Sequence, residues 1–486
     1  MSIKRILISC ALASLMPGSA LAQTDAEKAF AEFRRQAMGQ YAHFRQRAND
    51  EYAAFMEQAW KEFRAAPAIP HPKDEKVKPV EYKEQGKQPE PRPVKIEGEP
   101  VPAPTIPPQP KPQEPIQEEE ATMTDTVGFS FYGTRGKVRF PKTMGLSLRV
   151  ADKASVSEAW KRLSAITTNT LYDCLQLRKE LRLCDWAYLQ MLKSLARQCL
   201  ADKNEATLLW AFLYGQSGYQ VRLARHGDSL YLLAGSRHMI YERNYYVLVG
   251  GTFYPMDCEE TSLEVCDLAY PGEQPLSLYV PQSQCLAYAP SEPRQIASLR
   301  YPDVVAEVRT NKNLMKFYDA YPASELNGNV MTRWEMLANT PMDSHVSETL
   351  YPALKVAIAG KDEKEAANRL LNWVQTGLVY EYDDKVWGGD RAFFAEETLH
   401  YPYCDCEDRA ILYTRLVRDL LGLNTILVYY PGHLACAVEF KQEVRGDYIS
   451  LDGHRYVITD PTYIGAPVGR TMLGMDNQAA KVILLK

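Results

Sequence analysis

A chain of 486 residues in which 56 Lys and Arg face 61 Asp and Glu, for a net charge of −5, has no basic excess on which to hold a nucleic acid. Its length and 46% hydrophobic content suffice for two or three packed cores. No stretch beyond the N-terminal segment is apolar for long enough to span a bilayer.

Residues 1–22 read as an export signal. Lys4 and Arg5 form a basic start, Ile6 to Met16 is apolar, and Ala20-Leu21-Ala22 is a suitable cleavage site. The expectation is an exported protein, periplasmic or extracellular. Residues 23–66 predict an amphipathic helix. Phe30, Tyr41, Tyr52 and Phe63 recur every 11 residues, as do Phe33, Phe44 and Phe55. A period of about 3.67 residues per turn keeps such rings on one face. The stripe between residues 30 and 63 either lies against its own domain or serves self-association or docking on a partner. Residues 67–120 follow as a proline-rich linker, with 15 of the 31 prolines between Pro67 and Pro115. That composition predicts a semi-rigid polyproline spacer with a reach on the order of 150 Å.

Residues 121–290 predict a globular region. It opens with strand-like Phe129-Ser130-Phe131-Tyr132-Gly133 and continues with helical patterns through Trp160, Leu163, Trp186, Leu189 and Leu192. A helix from Asn204 to Tyr214 stops near Gly215 and Gly218, and strands at 219–223 and 229–233 flank a His226-Gly227-Asp228 turn. Tyr246 to Val249 then leads toward Asp257. Residues 291–342 read as an irregular connector with short helices and Tyr-Pro pairs. Helices resume at 346–359 and 363–379, within a last region spanning 343–486.

The chemistry concentrates between Tyr401 and Tyr463. Cys406 opens a helix whose apolar positions, Ile411, Leu412, Leu416, Val417, Leu420 and Leu421, repeat at three and four, and Gly422 stops it. A strand from Thr425 to Tyr430, the turn Pro431-Gly432 and a strand opened by His433 follow. A further strand ends at Asp460-Pro461-Thr462, so Cys406, His433 and Asp460 are spaced 27 residues apart. A thiol nucleophile needs a base to take its proton and a third group to hold that base in one tautomer. A helix N-terminus favours thiolate and offers N–H groups to an oxyanion, while Glu407 and Asp408 oppose the negative charge.

Cys406-Glu407-Asp408 before an apolar helix, a His-led strand and Asp460-Pro461-Thr462 together resemble the transglutaminase-like superfamily, with its papain-like core. The stretch from Arg391 to Leu399 is similar to the segment that leads into that family's cysteine. The resemblance covers about Leu370 to Tyr463. It implies Cys406 as nucleophile, His433 as general base and acid, and Asp460 as its orienting partner. The family usually has Gly two residues before the nucleophile, where this chain has Cys404, which is therefore a second thiol at the site or a disulfide partner. Trp387, before Gly388-Gly389, is expected either to line the substrate cleft or to be a buried loop residue.

The same order of elements runs through residues 121–290. Placing Gly218 on Gly422 sets Ser229 on His433 and, with a two-residue gap, Asn204 on Cys406, while Asp257 stands for Asp460. An amide and a hydroxyl cannot form a thiolate–imidazolium pair, so this reads as a degenerate, inert copy that binds a ligand or positions the other domain.

Nine cysteines follow the signal, an odd number that leaves at least one unpaired, and Cys258 with Cys266 or Cys174 with Cys184 are candidate disulfides. Zinc held by Cys404, Cys406 and His433 is the metal alternative. The Cys-x-Cys spacing disfavours it, and no metal or cofactor is expected. The sequence thus predicts an α+β protein with two transglutaminase-like domains behind an amphipathic helix and a linker. Its expected activity is thiol-dependent hydrolysis or acyl transfer at amides of a peptide, a protein or peptidoglycan. The alternative is a non-catalytic scaffold that uses the fold for recognition.

Overall fold

The computed structural model describes residues 20–73, 77–83, 93–95, 99–119, 125–141 and 143–486, so most of the expected export signal falls outside the described residues. No helix among them is long and apolar enough to cross a membrane. The architecture is mixed α+β.

Runs of β-branched and aromatic residues build two six-stranded sheets. The first has the order Trp60–Arg64, Ser262–Cys266, Val221–His226, Ser229–Ser236, Gly251–Met256, Tyr246–Leu248. The second has the order Lys481–Leu484, Thr425–Tyr430, His433–Glu439, His454–Thr459, Tyr448–Leu451, Pro93–Lys95. All pairings are antiparallel except that of Pro93–Lys95 with Tyr448–Leu451.

Apart from the edge strand that each takes from the N-terminal region, the two sheets have one connectivity. A helix leads into a hairpin, the next two strands extend the sheet in reversed order, and the last strand returns beside the first. Register agrees too. His226 pairs with Ser229 as Tyr430 pairs with His433, and Leu232 faces Met256 as Cys436 faces Thr459. Asp257 and Asp460 are each the first residue past the third strand of their hairpin. The helix starts shift one expectation. The N-caps are Asp202 and Asp405, so Lys203 rather than Asn204 stands where Cys406 does. Counting back from the glycines missed this because the cap, not the stop, sets where a helix begins.

The helix Cys406–Leu421 ends at Gly422, whose φ of 62° is left-handed and free of strain only without a Cβ. Its buried Ile411, Leu412, Leu416 and Val417 belong to its sheet-packed face. One apolar cluster joins them to Leu208, Leu209 and Leu213 of the helix Lys203–Gln216. Each such leucine contributes roughly 1.5–3 kcal/mol by leaving water.

Two expectations for the N-terminal region are corrected. The helix spans Ala20–Met56 and does not reach residue 66, because Trp60–Arg64 pairs with Ser262–Cys266 and Phe63 lies on that strand. Covering an open sheet edge outweighs continuing a helical period. The stripe is only partly used. Tyr52 packs at 5.1 Å from Trp160 and 5.3 Å from Tyr270, whereas Phe30 and Phe33 are 67% and 68% exposed. The described part of the proline-rich segment is not a free spacer. Val80–Glu81 pairs with Tyr463–Ile464, and the Val101 amide donates to Val482 O at 2.8 Å. Gln109 donates to Leu183 O at 2.8 Å, and Arg178 to Pro110 O at 3.2 Å. Proline cannot donate to a ladder, but its carbonyl accepts, so such a chain can be strapped down wherever a donor meets it.

The expected disulfides are also corrected. Cys174, Cys184, Cys258 and Cys266 are free, as are the other cysteines among the described residues. Cys174 and Cys184 are packed singly in the core, and the Cys266 thiol is turned toward Met56 O at 3.9 Å.

Candidate active site

His433 opens its strand, and its Nε2 lies 2.8 Å from Asp460 Oδ2. An ionised carboxylate only accepts, so toward one Nε2 is the donor. Nδ1 is buried and has no hydrogen-bond partner among the described residues. Asp460 is held in turn: its Oδ1 accepts from the amides of Thr462 at 2.8 Å and Tyr463 at 3.2 Å. This is how the Asp-Pro-Thr turn converts sequence into a fixed carboxylate.

Cys406 is the first residue of its helix. It shares a cleft with His433, together with Glu407, Arg333, Trp334, Tyr429, Gly432 and Leu434. The thiol donates to Glu407 Oε2 at 3.2 Å. The helix N-terminus favours a thiolate here, while the Glu407 carboxylate favours the thiol. With Cys406 2% and His433 1% exposed, the cleft offers a volume of about 10 Å³, scarcely one water. Arg333 Nη1 pairs with Asp390 at 2.9 Å on one side, and the Trp334 and Tyr429 rings lie 5.3 Å apart. On the other side the Val77 amide donates to Gly432 O at 3.0 Å. The proline-rich segment thus runs beside both the histidine and, through Tyr463, the aspartate.

Sequence reasoning missed the residues that hold this arrangement. Gln375 Nε2 donates to the carbonyls of Asp460 at 3.0 Å, Tyr463 at 2.8 Å and Ala466 at 3.1 Å. The buried Arg409 guanidinium reaches Leu378 O at 2.8 Å and Pro461 O at 3.4 Å, tying the Cys406 helix to the aspartate's turn. An Arg and a Gln on apolar helices were visible, but their acceptors lie far away in sequence.

Trp387 does not line the cleft. Its ring packs edge-on against Phe393 at 5.7 Å and Tyr401 at 4.8 Å, beneath the Arg391 guanidinium. The helix that it follows, Asp383–Val386, directs it into this aromatic cluster. Cys404 sits on the strand Tyr403–Cys404 with its thiol toward Val379 O at 3.6 Å, and burial pushes its pKa up against the pull of Arg409. It is therefore a packed thiol away from the cleft. In the short helix ahead of it, Glu396 and Glu397 are pushed up to about 8 and about 7 by burial, the latter despite Arg391.

Among the described residues, three groupings of potential metal donors lie around the start of the Cys406 helix: Asp405, Cys406 and Glu407; Asp383, Asp390 and Glu407; Asp383, Asp405 and Asp408. None contains Cys404 or His433. Several of these carboxylates already serve the backbone. Asp408 accepts from the amides of Phe393 at 2.9 Å and Asp405 at 3.1 Å, and Asp383 from that of Arg391 at 2.9 Å.

Comparison with protein-family models, curated proteins and solved structures returned no match to this chain.

Proposed function

We propose that this chain is an exported, transglutaminase-like thiol hydrolase of peptide amides, including those of peptidoglycan. The observation that carries the reading is the 2.8 Å His433–Asp460 pair, with His433, whose Nδ1 has no partner among the described residues, lining the cleft that holds Cys406. In the reaction, Nδ1 takes the thiol proton as sulfur attacks the carbonyl carbon, and the Asp460 carboxylate stabilises the resulting imidazolium. N–H groups at the start of Cys406–Leu421 face the developing oxyanion. The imidazolium returns its proton to the leaving amine as the C–N bond breaks, leaving a thioester on Cys406. His433 then deprotonates water, which attacks the thioester, and the carboxylate product and free thiol are released. With about 10 Å³ in the cleft, substrate entry requires that Arg333, Trp334 or the neighbouring strap move.

The closed cleft and the thiol's hydrogen bond to Glu407 favour a second reading, a scaffold that keeps the fold for recognition. Turnover of a peptidoglycan-peptide library separates the two. The hydrolase reading expects Cys406→Ala to lose at least about 10³-fold, with a trappable acyl adduct mapping to Cys406. Equal turnover by both proteins defeats it.

A further inference from the structure

A chemically distinctive recess lies outside the cysteine site, on the first sheet. Its volume is about 190 Å³, and its lining includes Lys193, Arg197, Lys203, Trp210, Tyr231 and Asp257. It occupies the place on this sheet that the Cys406 cleft occupies on the other. Lys203 is the first residue of its helix, Tyr231 lies near the start of the hairpin's second strand, and Asp257 follows the third.

The charges are arranged for an anion. Asp257 accepts from Lys193 Nζ at 2.5 Å and from Arg197 Nη2 at 2.6 Å, so two cations share one carboxylate. The other acid in the lining, Asp202, is spent as the helix cap on the amides of Asn204 at 2.8 Å and Glu205 at 3.0 Å. Lys203 has no carboxylate partner among the described residues and lies over the Tyr231 ring at 5.4 Å. Lys193 lies over Trp210 at 5.5 Å. Leu230, Met256 and Ala206 supply an apolar wall. A recess lined by three cations and by aromatic and aliphatic groups suits a ligand with a carboxylate at one end and an apolar group beside it. At about 190 Å³ it is smaller than a drug-sized pocket and suits one terminal residue.

We propose that this recess binds the free C-terminal residue of a peptide, its carboxylate between Lys193, Arg197 and Lys203 and its side chain against Trp210 and Met256. The proposal names a second recognition point for the peptide substrates inferred above. It rests on that reading only for its biological sense, since the binding needs no thiol chemistry.

The test uses the full-length protein carrying Cys406→Ala, so that binding is read without turnover. Acetyl-Ala-Leu with a free carboxylate and its C-terminal amide are titrated by calorimetry and by tryptophan fluorescence. The acid is expected to bind at least tenfold more tightly than the amide. Lys203→Gln, which breaks no ion pair, should weaken the acid several-fold, and Arg197→Gln should weaken it further. Asp257→Asn should strengthen it by releasing both cations, a change that general damage to the fold would not produce. Trp210→Phe should remove the fluorescence response while calorimetry still reports binding. Equal affinity for acid and amide, or acid binding indifferent to Lys203→Gln and Asp257→Asn, overturns the proposal. Failure of Cys406 to turn over any peptide leaves these results untouched and bears only on the hydrolase reading.

Discussion

The two sheets share strand order and register yet place different chemistry at the same corner. On the second sheet, the helix start carries a thiol, the hairpin an imidazole, and the residue past the third strand a carboxylate that accepts from that imidazole. On the first, the same three places hold Lys203, Ser229 and Asp257, and the carboxylate turns to Lys193 and Arg197. One corner leaves about 10 Å³ and the other is a cation-lined recess of about 190 Å³. The comparison teaches that register makes a corner where side chains meet, while residue type decides which contacts form there.

The sharpest way to break this contrast is to remove the hairpin residue on each side. His433→Ala is expected to lower turnover by about 10³-fold or more, and Ser229→Ala to change it by less than about twofold, both read as kcat/KM on the same peptide. Similar losses would mean that the two corners are not chemically distinct.

A second test concerns the helix starts. Asn204 donates to Leu148 O and Asp228 O and accepts from the Leu230 amide, each at 2.8 Å. Asn204→Ala should cost about 2–4 kcal/mol in urea unfolding by stranding those groups, with turnover per folded molecule unchanged. A smaller cost would show that water replaces the bonds.

The two regions should also respond to pH in opposite directions. Burial pushes Glu396 and Glu397 up to about 8 and about 7, so the folded chain holds their protons more tightly than the unfolded one. Stability contributed there falls as pH rises from the ordinary carboxylate range toward 8. Burial pushes His238, beside the first sheet, down to about 4, so stability is lost as pH falls from 6.5 toward that value. At about 1.4 kcal/mol per pH unit each group should contribute a few kcal/mol, and Glu396→Gln should shrink only the alkaline limb. A variant whose alkaline limb is unchanged would remove Glu396 as its source.

The smallest expected effect is at Glu407. Glu407→Gln removes the negative charge that accepts from the Cys406 thiol. The pH dependence of iodoacetamide labelling of Cys406 should move down by about one pH unit. An upward shift would show that Glu407 assists thiolate formation.

Much of this was legible in sequence. The apolar period and Gly422 marked the helix that Cys406 opens, the Pro431-Gly432 turn placed His433 at a strand start, and Asp460 stood at a strand end. Element ends are set by local chemistry, through caps, turn residues and proline. The order of elements shared by the two sheets was legible for the same reason, although the first helix start was misplaced by one residue because the cap at Asp202 was overlooked.

The amino-acid sequence by itself determined the order of elements, the placing of Cys406, His433 and Asp460 at element ends and the places where helices and strands stop, because those depend on neighbours along the chain. Only the tertiary structure decided that Trp387 packs on Phe393 and Tyr401 instead of facing the cleft, that Cys404 is buried, and that prolines serve as a strap. It alone brought Gln375 and Arg409 to the aspartate's turn and gathered Lys193, Arg197 and Lys203 around one recess. Those outcomes depend on which distant surfaces must leave water together and which backbone carbonyls then need donors, and no local pattern encodes such pairings.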